Sequence, residues 1–182
     1  MEDAATAFGN DPRRDSSIVN VQALADANKV TYGRSEGNTG WFLRKFMGRE
    51  STRSSGAGAV ELNFPQNLYD TRLADIYLLE AEALVRGGGD QSRAAALLDA
   101  VRDRAWGDQS HRVPATLDNI KLERRIELIG EGHRWFDIVR WGDAPALLGD
   151  RGFKENKHEI LPIPLLELEN TKIKQTPEWS KP

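Results

Sequence analysis

The chain has 182 residues, of which 39% are hydrophobic and 29% are charged, and its formal net charge is −3 at pH 7. That length suits one domain, or a piece of one, with a sizeable core. The slightly acidic balance gives no electrostatic reason to expect nucleic-acid binding, and the absence of cysteine excludes disulfides, thiolate metal sites and a cysteine nucleophile. No apolar run approaches the ~20 residues of a membrane-spanning helix, and residues 1–17 do not predict a signal peptide.

Residues 1–69 are rich in Gly, Ser, Asn and Asp, which predicts an irregular, partly extended section. Residues 28–32 and 40–46 are candidate strands, although neither alternates apolar and polar residues for long. Residues 49–59 are typical of a mobile loop. We expect the whole section to pack on a helical part that begins at residue 70.

Helical periodicity begins at Asp70. Asp70 or Thr71 is predicted to cap the first helix, and the glycines at 87–89 to end it. Asp90 is predicted to cap a second helix whose apolar face runs to Ala105. The first helix has one stripe at spacings of three and four, formed by Leu73, Ile76, Tyr77, Glu80, Ala81 and Leu84.

Two more helices are predicted further along the chain. Thr116 opens the third helix, and the fourth covers residues 134–148, with Pro145 either kinking or ending it. Short connections and a first pair of roughly 35 residues, close to the 34 of a tetratricopeptide unit, favour two hairpins of tetratricopeptide type. The predicted fold class is therefore mainly α. In the tail, Pro162 and Pro164 predict extended backbone, followed by a short helix over 165–170 and apolar residues docked on the helical bundle.

The segment 123–142 carries eight formal charges, four of each sign, interleaved with Trp135, Phe136 and Trp141. This mixture indicates closely packed helices whose arginine and glutamate side chains pair at the junction. The predicted structural ion-pair network consists of Arg72, Glu82, Arg124, Arg125, Glu131 and Asp137. Anion binding by Arg124, Arg125 and Arg134 is the functional alternative.

Other chemical sites have weaker support. Glu131, His133 and Asp137 are ligand types for zinc or iron, but their spacing does not place them on one helical face, so a structural role is favoured. Residues 87–90, three glycines and an aspartate, lack the Lys-Ser/Thr of a phosphate loop. We predict no catalytic residue, no metal and no cofactor.

Aromatic residues in the irregular section are the candidates for sugar contact, because a pyranose ring has an apolar face that stacks on an aromatic ring while polar side chains bond its hydroxyls. For Trp41 and Phe42, packing beneath the loop is the favoured interpretation over ligand contact. The ligand-binding candidates are Tyr32, Arg34, Asn38, Trp41, Phe42 and Arg44.

Four segments in a fixed order resemble the C-terminal part of the SusD/RagB family. They are DTRLADIYLLEAEALVRGG at 70–88, AAALLDAVRDRA at 94–105, ERRIELIGEGHRWFDIVRWG at 123–142 and HEILPIPLLELENTKIKQTPEW at 158–179. FGNDPRR at 8–14 and RKF at 44–46 resemble the section that precedes them. The elements EGHRWFD and PIP…E, in that order, carry most of the specificity.

The resemblance implies a non-catalytic glycan- or nutrient-binding lipoprotein at the outer-membrane surface, with a SusC-like TonB-dependent transporter and an oligo- or polysaccharide as partners. Family members are two to three times longer and begin with a lipoprotein signal and an acylated cysteine. We therefore expect residues 1–69 and 70–182 to form one incomplete domain together. A tetratricopeptide-type protein-interaction scaffold without sugar affinity is the alternative function.

Overall fold

The computed structural model describes residues 2–59, 61, 63–67 and 69–180. It divides the chain into two compact units, residues 1–132 and 133–182. The boundary that the composition places after residue 69 stays a prediction. In the described part of the chain, no helix combines the length and the apolar character that crossing a membrane would need.

The first unit is mainly helical, and its N-terminal section is more regular than the composition predicts. Three short helices and two short strands occupy the section that we expected to be irregular. Of the candidate strands, only the middle of 40–46 forms one, and residues 28–32 contain none. The elements are α1 (Glu2–Phe8), α2 (Arg14–Ser17), β1 (Ile18–Asn20), α3 (Val21–Asp26), β2 (Trp41–Leu43), a 3₁₀ turn (Glu50–Thr52), α4 (Leu73–Gly87), α5 (Gln91–Trp106) and α6 (Leu117–Glu127).

Helices α4 and α5 form a hairpin, as the sequence predicts. The residue before α4 is Arg72, without a side-chain cap, so neither Asp70 nor Thr71 caps the helix. Gly88 follows α4 with φ 65°, the left-handed conformation that glycine adopts without strain. The Asp90 carboxylate accepts a hydrogen bond from the Arg93 backbone N–H at 3.0 Å, so the predicted cap of α5 is confirmed.

Helix α6 begins after Thr116, whose hydroxyl accepts a hydrogen bond from the Asn119 N–H. This helix packs against α4. The core between these helices is aliphatic, because the stripes of three helices meet there. It contains Leu78, Ala81, Ala94, Leu97, Leu98, Val101 and Ile120.

A second core lies under the N-terminal section. Strands β1 and β2 pair antiparallel, with Val19 opposite Phe42 and Asn20 opposite Trp41. Helix α1 packs against α6. The apolar contacts join Phe8, Ile18 and Ile126, with Trp41 half-buried beside them. The N-terminal section therefore packs on the helices through this cluster.

The second unit contains α7 (His133–Arg140), α8 (Ala144–Leu148), a 3₁₀ turn (Gly149–Arg151) and α9 (Leu165–Glu169). The single helix predicted over 134–148 is two helices, and Pro145 lies in the first turn of the second, where its missing N–H has no cost. The short helix predicted after Pro164 is confirmed.

The tail is held by polar contacts. The Gln175 side-chain amide donates to the Ile163 carbonyl at 3.0 Å and accepts from the Ile163 N–H at 3.1 Å. The Trp179 indole donates to the Ile160 carbonyl at 3.0 Å. The expectation that the apolar tail residues dock is wrong for Leu161 and Leu165, which are 76% and 68% exposed. Adjacent prolines leave this backbone extended, so polar side chains at 175 and 179 pair with it instead.

Candidate functional site

Three glutamates one helical turn apart form the centre of the first unit's charged interior. Glu123 and Glu127 lie on α6, and Glu131 follows it in the loop. The spacing of four residues places Glu123 and Glu127 side by side on α6. All three side chains are nearly inaccessible, with relative exposures of 0%, 3% and 4%. Isolated carboxylates at this depth would be strongly unfavourable, so each needs a cationic partner.

The partners come from four separate parts of the chain. Arg13 Nη1 lies 2.6 Å from Glu123 and 2.7 Å from Glu127, and its Nη2 lies 2.6 Å from Asp11. Among the described residues, we define the charge cluster as Asp11, Arg13, Lys45, Arg72, Arg102, Arg104, Glu123, Glu127 and Glu131.

Arg72, just before α4, binds two of the glutamates. It contacts Glu127 at 2.5 Å and Glu131 at 2.7 Å, and it also donates to the Glu127 backbone carbonyl. The Lys45 ammonium donates to Glu131 and to the same carbonyl. The Glu127 carbonyl therefore accepts bonds from two cations at the end of α6, where the helix dipole favours positive charge.

Charge pairing shifts the pKa values within the cluster. Burial raises the pKa of Glu127, but hydrogen bonds from Arg13 and Arg72 outweigh it and leave the pKa below its usual value. Burial likewise opposes the shift of Glu131, and the bonds from Arg72 and Lys45 lower its pKa. Burial dominates at Lys45, whose pKa is lowered despite Glu131. Glu127 and Glu131 are therefore ionised at neutral pH and bound by cations, which is a structural arrangement.

Each residue of the predicted ion-pair network takes part in an ion pair. Arg72 and Glu131 contact each other directly. Arg124 binds Asp75 of α4 at 2.7 Å. Arg125 binds the exposed Asp3, Arg86 binds Glu82 within α4, and Arg140 binds Asp137 within the second unit.

A groove of about 670 Å³ lies beside α3, and two ligand candidates line it. Tyr32 is half-buried, and its hydroxyl donates to Gln22 Oε1 at 2.6 Å. The Arg34 guanidinium donates to the same oxygen. Lys29 and Asn28 also line this groove. It combines one aromatic face with several donors, the composition of a site that takes a polar, hydroxylated ligand.

The other four candidates do not line this groove. Phe42 is 39% exposed and meets the Tyr32 ring edge-on at 6.0 Å between centroids. Trp41 precedes it in β2, and successive strand residues point to opposite faces, so Trp41 packs on the core beside Ile126. Trp41 therefore packs beneath the loop, as the packing interpretation expects. Phe42 does not, because its side chain is exposed.

Asn38 and Arg44 have local roles. The Asn38 side chain accepts from the Gly40 N–H at 2.7 Å and stabilises the turn before β2. Gly40 has φ 77°, and a Cβ there would lie 2.7 Å from the Gln22 Cβ, so glycine is required. Arg44 donates to the Asp15 carbonyl and lines a different cavity of about 930 Å³.

Several members of these sites were missed from the sequence. Arg13 belongs to the quoted segment 8–14, but nothing local pairs it with Glu127, which lies 114 residues away. Gln22 lies in a short helix, and nothing in the sequence around it indicates that it lines a groove. The four-residue spacing of Glu123, Glu127 and Glu131 is the one sequence feature from which the charge cluster could have been found.

Comparison with known proteins places this chain in a family. The sequence model of the SusD family matches residues 6–160. The chain belongs to the SusD family, as the sequence segments predict, and its mainly helical fold agrees with that of the family's solved structures.

Curated relatives have the same family name. The SusD-like protein P25 of Formosa agariphila is 34% identical over 121 residues, which are 59% of this chain and 23% of that protein. A SusD-like protein of Bacteroides ovatus is 39% identical over 83 residues, 44% of this chain and 15% of that protein. The chain thus spans about a quarter or less of the length of these relatives.

Solved structures align over nearly the whole chain. A laminarin-binding SusD-like protein is 46% identical with a TM-score of 0.87, over 97% of this chain and 37% of that one. Surface glycan-binding protein A from Bacteroides thetaiotaomicron, in complex with laminarihexaose, is 31% identical with a TM-score of 0.84, over 96% of this chain and 40% of that one.

Proposed function

We propose that this chain is the glycan-binding part, or a portion of it, of a SusD-like protein, with a β-glucan of the laminarin class as ligand. The observation that carries the proposal is the 46% identity to a laminarin-binding SusD-like protein over 97% of the chain. A second neighbour, 31% identical, was solved with laminarihexaose. The role is non-catalytic: the buried carboxylates of the charge cluster are bound by cations and are not available to act as an acid–base pair.

The groove beside α3 is the part of the described structure that we propose for ligand contact. Tyr32 offers a half-buried ring, and Arg34 and Lys29 offer donors at the groove wall. Glucan hydroxyls accept such hydrogen bonds, and the apolar face of a glucose ring stacks on an aromatic ring. Phe42 extends the aromatic surface toward Tyr32.

Family membership supports a location and a partner for the whole protein. We propose that it acts at the outer-membrane surface as a lipoprotein and passes its glycan to a SusC-like TonB-dependent transporter. Nucleic acid is not proposed as a ligand, since the chain is slightly acidic overall.

Isothermal titration calorimetry of the folded chain with laminarihexaose tests the binding role. The expected result is saturable binding, with cellohexaose, a hexasaccharide of different linkage, as the matched control. Chromatography of the oligosaccharide after long incubation is expected to recover it intact. No binding to any glucan, together with specific capture of a protein, would favour the interaction-scaffold alternative. Release of shorter sugars would overturn the non-catalytic role.

A further inference from the structure

Two neighbouring cavities of the first unit share one wall. The cavity of about 930 Å³ that Arg44 lines meets a second cavity of about 450 Å³, and Ser16, Lys45 and Gln66 line both. Each volume falls within the range of about 300–1,000 Å³ that small-molecule sites occupy. We call the two cavities together the basic cleft. None of the described residues that line it also lines the groove beside α3, so the two sites are separate.

The charges that line the basic cleft are predominantly positive. Among the described residues, six cations and three carboxylates lie there, a surplus of three positive charges on a chain whose formal net charge is −3. A cleft lined by one sign of charge concentrates its field on ligands of the opposite sign. The cations are Arg13, Arg44, Lys45, Arg49, Arg72 and Arg104, and the carboxylates are Asp15, Glu127 and Glu131.

The three carboxylates of the basic cleft already have cationic partners. Glu127 and Glu131 belong to the charge cluster, and their side chains are only 3% and 4% exposed. The Asp15 carboxylate accepts a hydrogen bond from Arg14 at 3.0 Å. A ligand that enters the cleft therefore meets cations and not free carboxylates.

Three arginines leave positive charge accessible in the cleft. Arg44 is exposed and donates to the Asp15 backbone carbonyl, an uncharged group, at 3.0 Å. Arg49 is also exposed, and its side chain has no ion pair within the described part of the chain. Arg104 reaches Glu127 through Nη2, and its side chain is 61% exposed. A guanidinium binds a carboxylate through two parallel N–H groups, so these side chains suit an oxyanion.

Lys45, at the wall that the two cavities share, is incompletely compensated by its carboxylate partner. Burial lowers the pKa of its ammonium group more than the bond to Glu131 raises it, and the charge of Arg72 lowers it further. A second anion beside Lys45 would favour the charged ammonium. The junction of the two cavities therefore favours a bound oxyanion.

We propose that the basic cleft binds an acidic oligosaccharide, one whose sugar rings carry carboxylates. The Tyr69 ring, which is 69% exposed, lines the cavity of about 450 Å³ together with the amides of Gln66 and Asn67. A sugar ring stacks on an aromatic ring while amides bond its hydroxyls, and the arginines bind the carboxylates. This combination favours a sugar acid over an acidic peptide or a free anion. The proposal does not rest on the glucan groove, since laminarihexaose is uncharged.

Isothermal titration calorimetry of the full chain with trigalacturonate, and separately with trimannuronate, tests the proposal. Each probe carries one carboxylate on every ring. Maltotriose is the uncharged sugar control, triglutamate is the acidic peptide control, and sodium sulfate is the free-anion control. The expected result is saturable binding of at least one acidic trisaccharide and of none of the controls. Raising NaCl from about 50 to about 500 mM is expected to weaken that binding at least tenfold, because salt screens the charges.

Each contrary result has a defined meaning. Equal affinity for triglutamate would identify an acidic peptide as the ligand, and equal affinity for sulfate would identify a free anion. Equal affinity for maltotriose would show that charge is not recognised. Any of these results would overturn the proposal, as would the absence of binding by both acidic trisaccharides.

Substitutions place the binding in the cleft. Arg44→Gln combined with Arg49→Gln is expected to weaken binding of the acidic trisaccharide by about tenfold or more, because charge-assisted bonds are lost. Tyr69→Ala is expected to weaken it roughly fivefold through the lost stacking surface. Arg151→Gln, at an exposed position of the second unit, removes the same kind of charge and is the matched control.

Far-UV circular dichroism shows whether each variant is folded. All of these variants are expected to keep the affinity of the unmodified chain for laminarihexaose, so failure of this proposal and failure of the glucan proposal can be told apart. Equal affinity of the Arg44/Arg49 double variant and Arg151→Gln for the acidic trisaccharides would overturn the assignment to the basic cleft.

Discussion

Arg124 of α6 donates a hydrogen bond from Nη1 to Asp75 Oδ1 of α4 at 2.7 Å, and both side chains are almost completely buried. The pair joins two helices that also meet in the aliphatic core. A charge pair this deep contributes little net stability over an apolar pair of equal volume, but removing one partner leaves the other buried and uncompensated. The relative orientation of α4 and α6 therefore depends on both residues being present.

Arg124→Met is expected to lower the free energy of unfolding by about 3–5 kcal/mol, because Asp75 remains buried without its cation. Adding Asp75→Leu to Arg124→Met is expected to restore part of that loss. Urea denaturation followed by circular dichroism measures both. The matched control is Arg93→Ala, which breaks the exposed pair with Glu80 and is expected to leave the midpoint unchanged. Equal effects of the buried and exposed substitutions would contradict this account.

Acid is expected to destabilise the first unit through Glu127 and Glu131. Their folded-state pKa values lie below the ordinary value of 4.5, because cation hydrogen bonds outweigh burial. As pH falls from about 5, these two groups bind more protons in the unfolded chain than in the folded chain. Their contribution to stability is fully present above that range and is lost as pH falls through the lowered folded values.

Glu127→Gln tests this assignment. The variant is expected to be less stable at pH 7, since Arg13 and Arg72 lose a charged partner, and to lose less of its remaining stability between pH 5 and 3. Thermal melts at each pH give the comparison. Asp150→Asn, on an exposed turn in the second unit, is the control. A Glu127→Gln curve parallel to that of the unmodified chain would exclude Glu127 as a source of the acid sensitivity.

The helix hairpin was predictable because its signals are local. Asp90 and Thr116 cap helices through hydrogen bonds three residues away, and Gly88 adopts a positive φ at the end of α4. The charge cluster was not predictable in detail, because Arg13 and Glu127 come together only through tertiary packing. The sequence makes both Trp41 and Phe42 ligand candidates, and only the strand register places them on opposite faces.

Asp90→Ala is expected to destabilise the chain by about 1 kcal/mol, because the Arg93 N–H at the start of α5 loses its acceptor. Asp90→Asn keeps an acceptor oxygen and is expected to cost only a few tenths of that amount. Chemical denaturation of the two variants side by side provides the measurement. The capping role would be refuted if Asn and Ala at this position were equally destabilising.

Gln175→Ala is expected to release the tail locally, since the Gln175 amide makes both hydrogen bonds to the Ile163 backbone. Limited trypsin digestion at Lys172 and Lys174 is expected to accelerate by roughly tenfold, in proportion to the population of the opened tail. The far-UV circular dichroism spectrum is expected to stay unchanged. Glu178→Ala, at an exposed position in the same tail, is the control, and equal cleavage of both variants would show that Gln175 does not hold the tail.

The proposed ligand groove and the core beneath it predict opposite phenotypes for two aromatic substitutions. Trp41→Ala is expected to lower the free energy of unfolding by about 2–4 kcal/mol, since Trp41 packs with Phe8 and Ile18. Tyr32→Ala is expected to weaken laminarihexaose binding by about tenfold, because the stacking face is lost, with less effect on stability.

Arg34→Ala and Tyr32→Phe together distinguish direct contact with the ligand from an effect on the shape of the groove. Its guanidinium and the Tyr32 hydroxyl share Gln22 as acceptor, so Tyr32→Phe removes one of the two bonds to Gln22 and keeps the ring. If the ring stacks on glucose, Tyr32→Phe binds laminarihexaose nearly as well as the unmodified chain, while Tyr32→Ala and Arg34→Ala both bind it weakly. Calorimetry of the three variants with laminarihexaose measures these affinities. A Trp41→Ala protein that is stable but does not bind laminarihexaose would indicate that the ligand lies on the other face of β2.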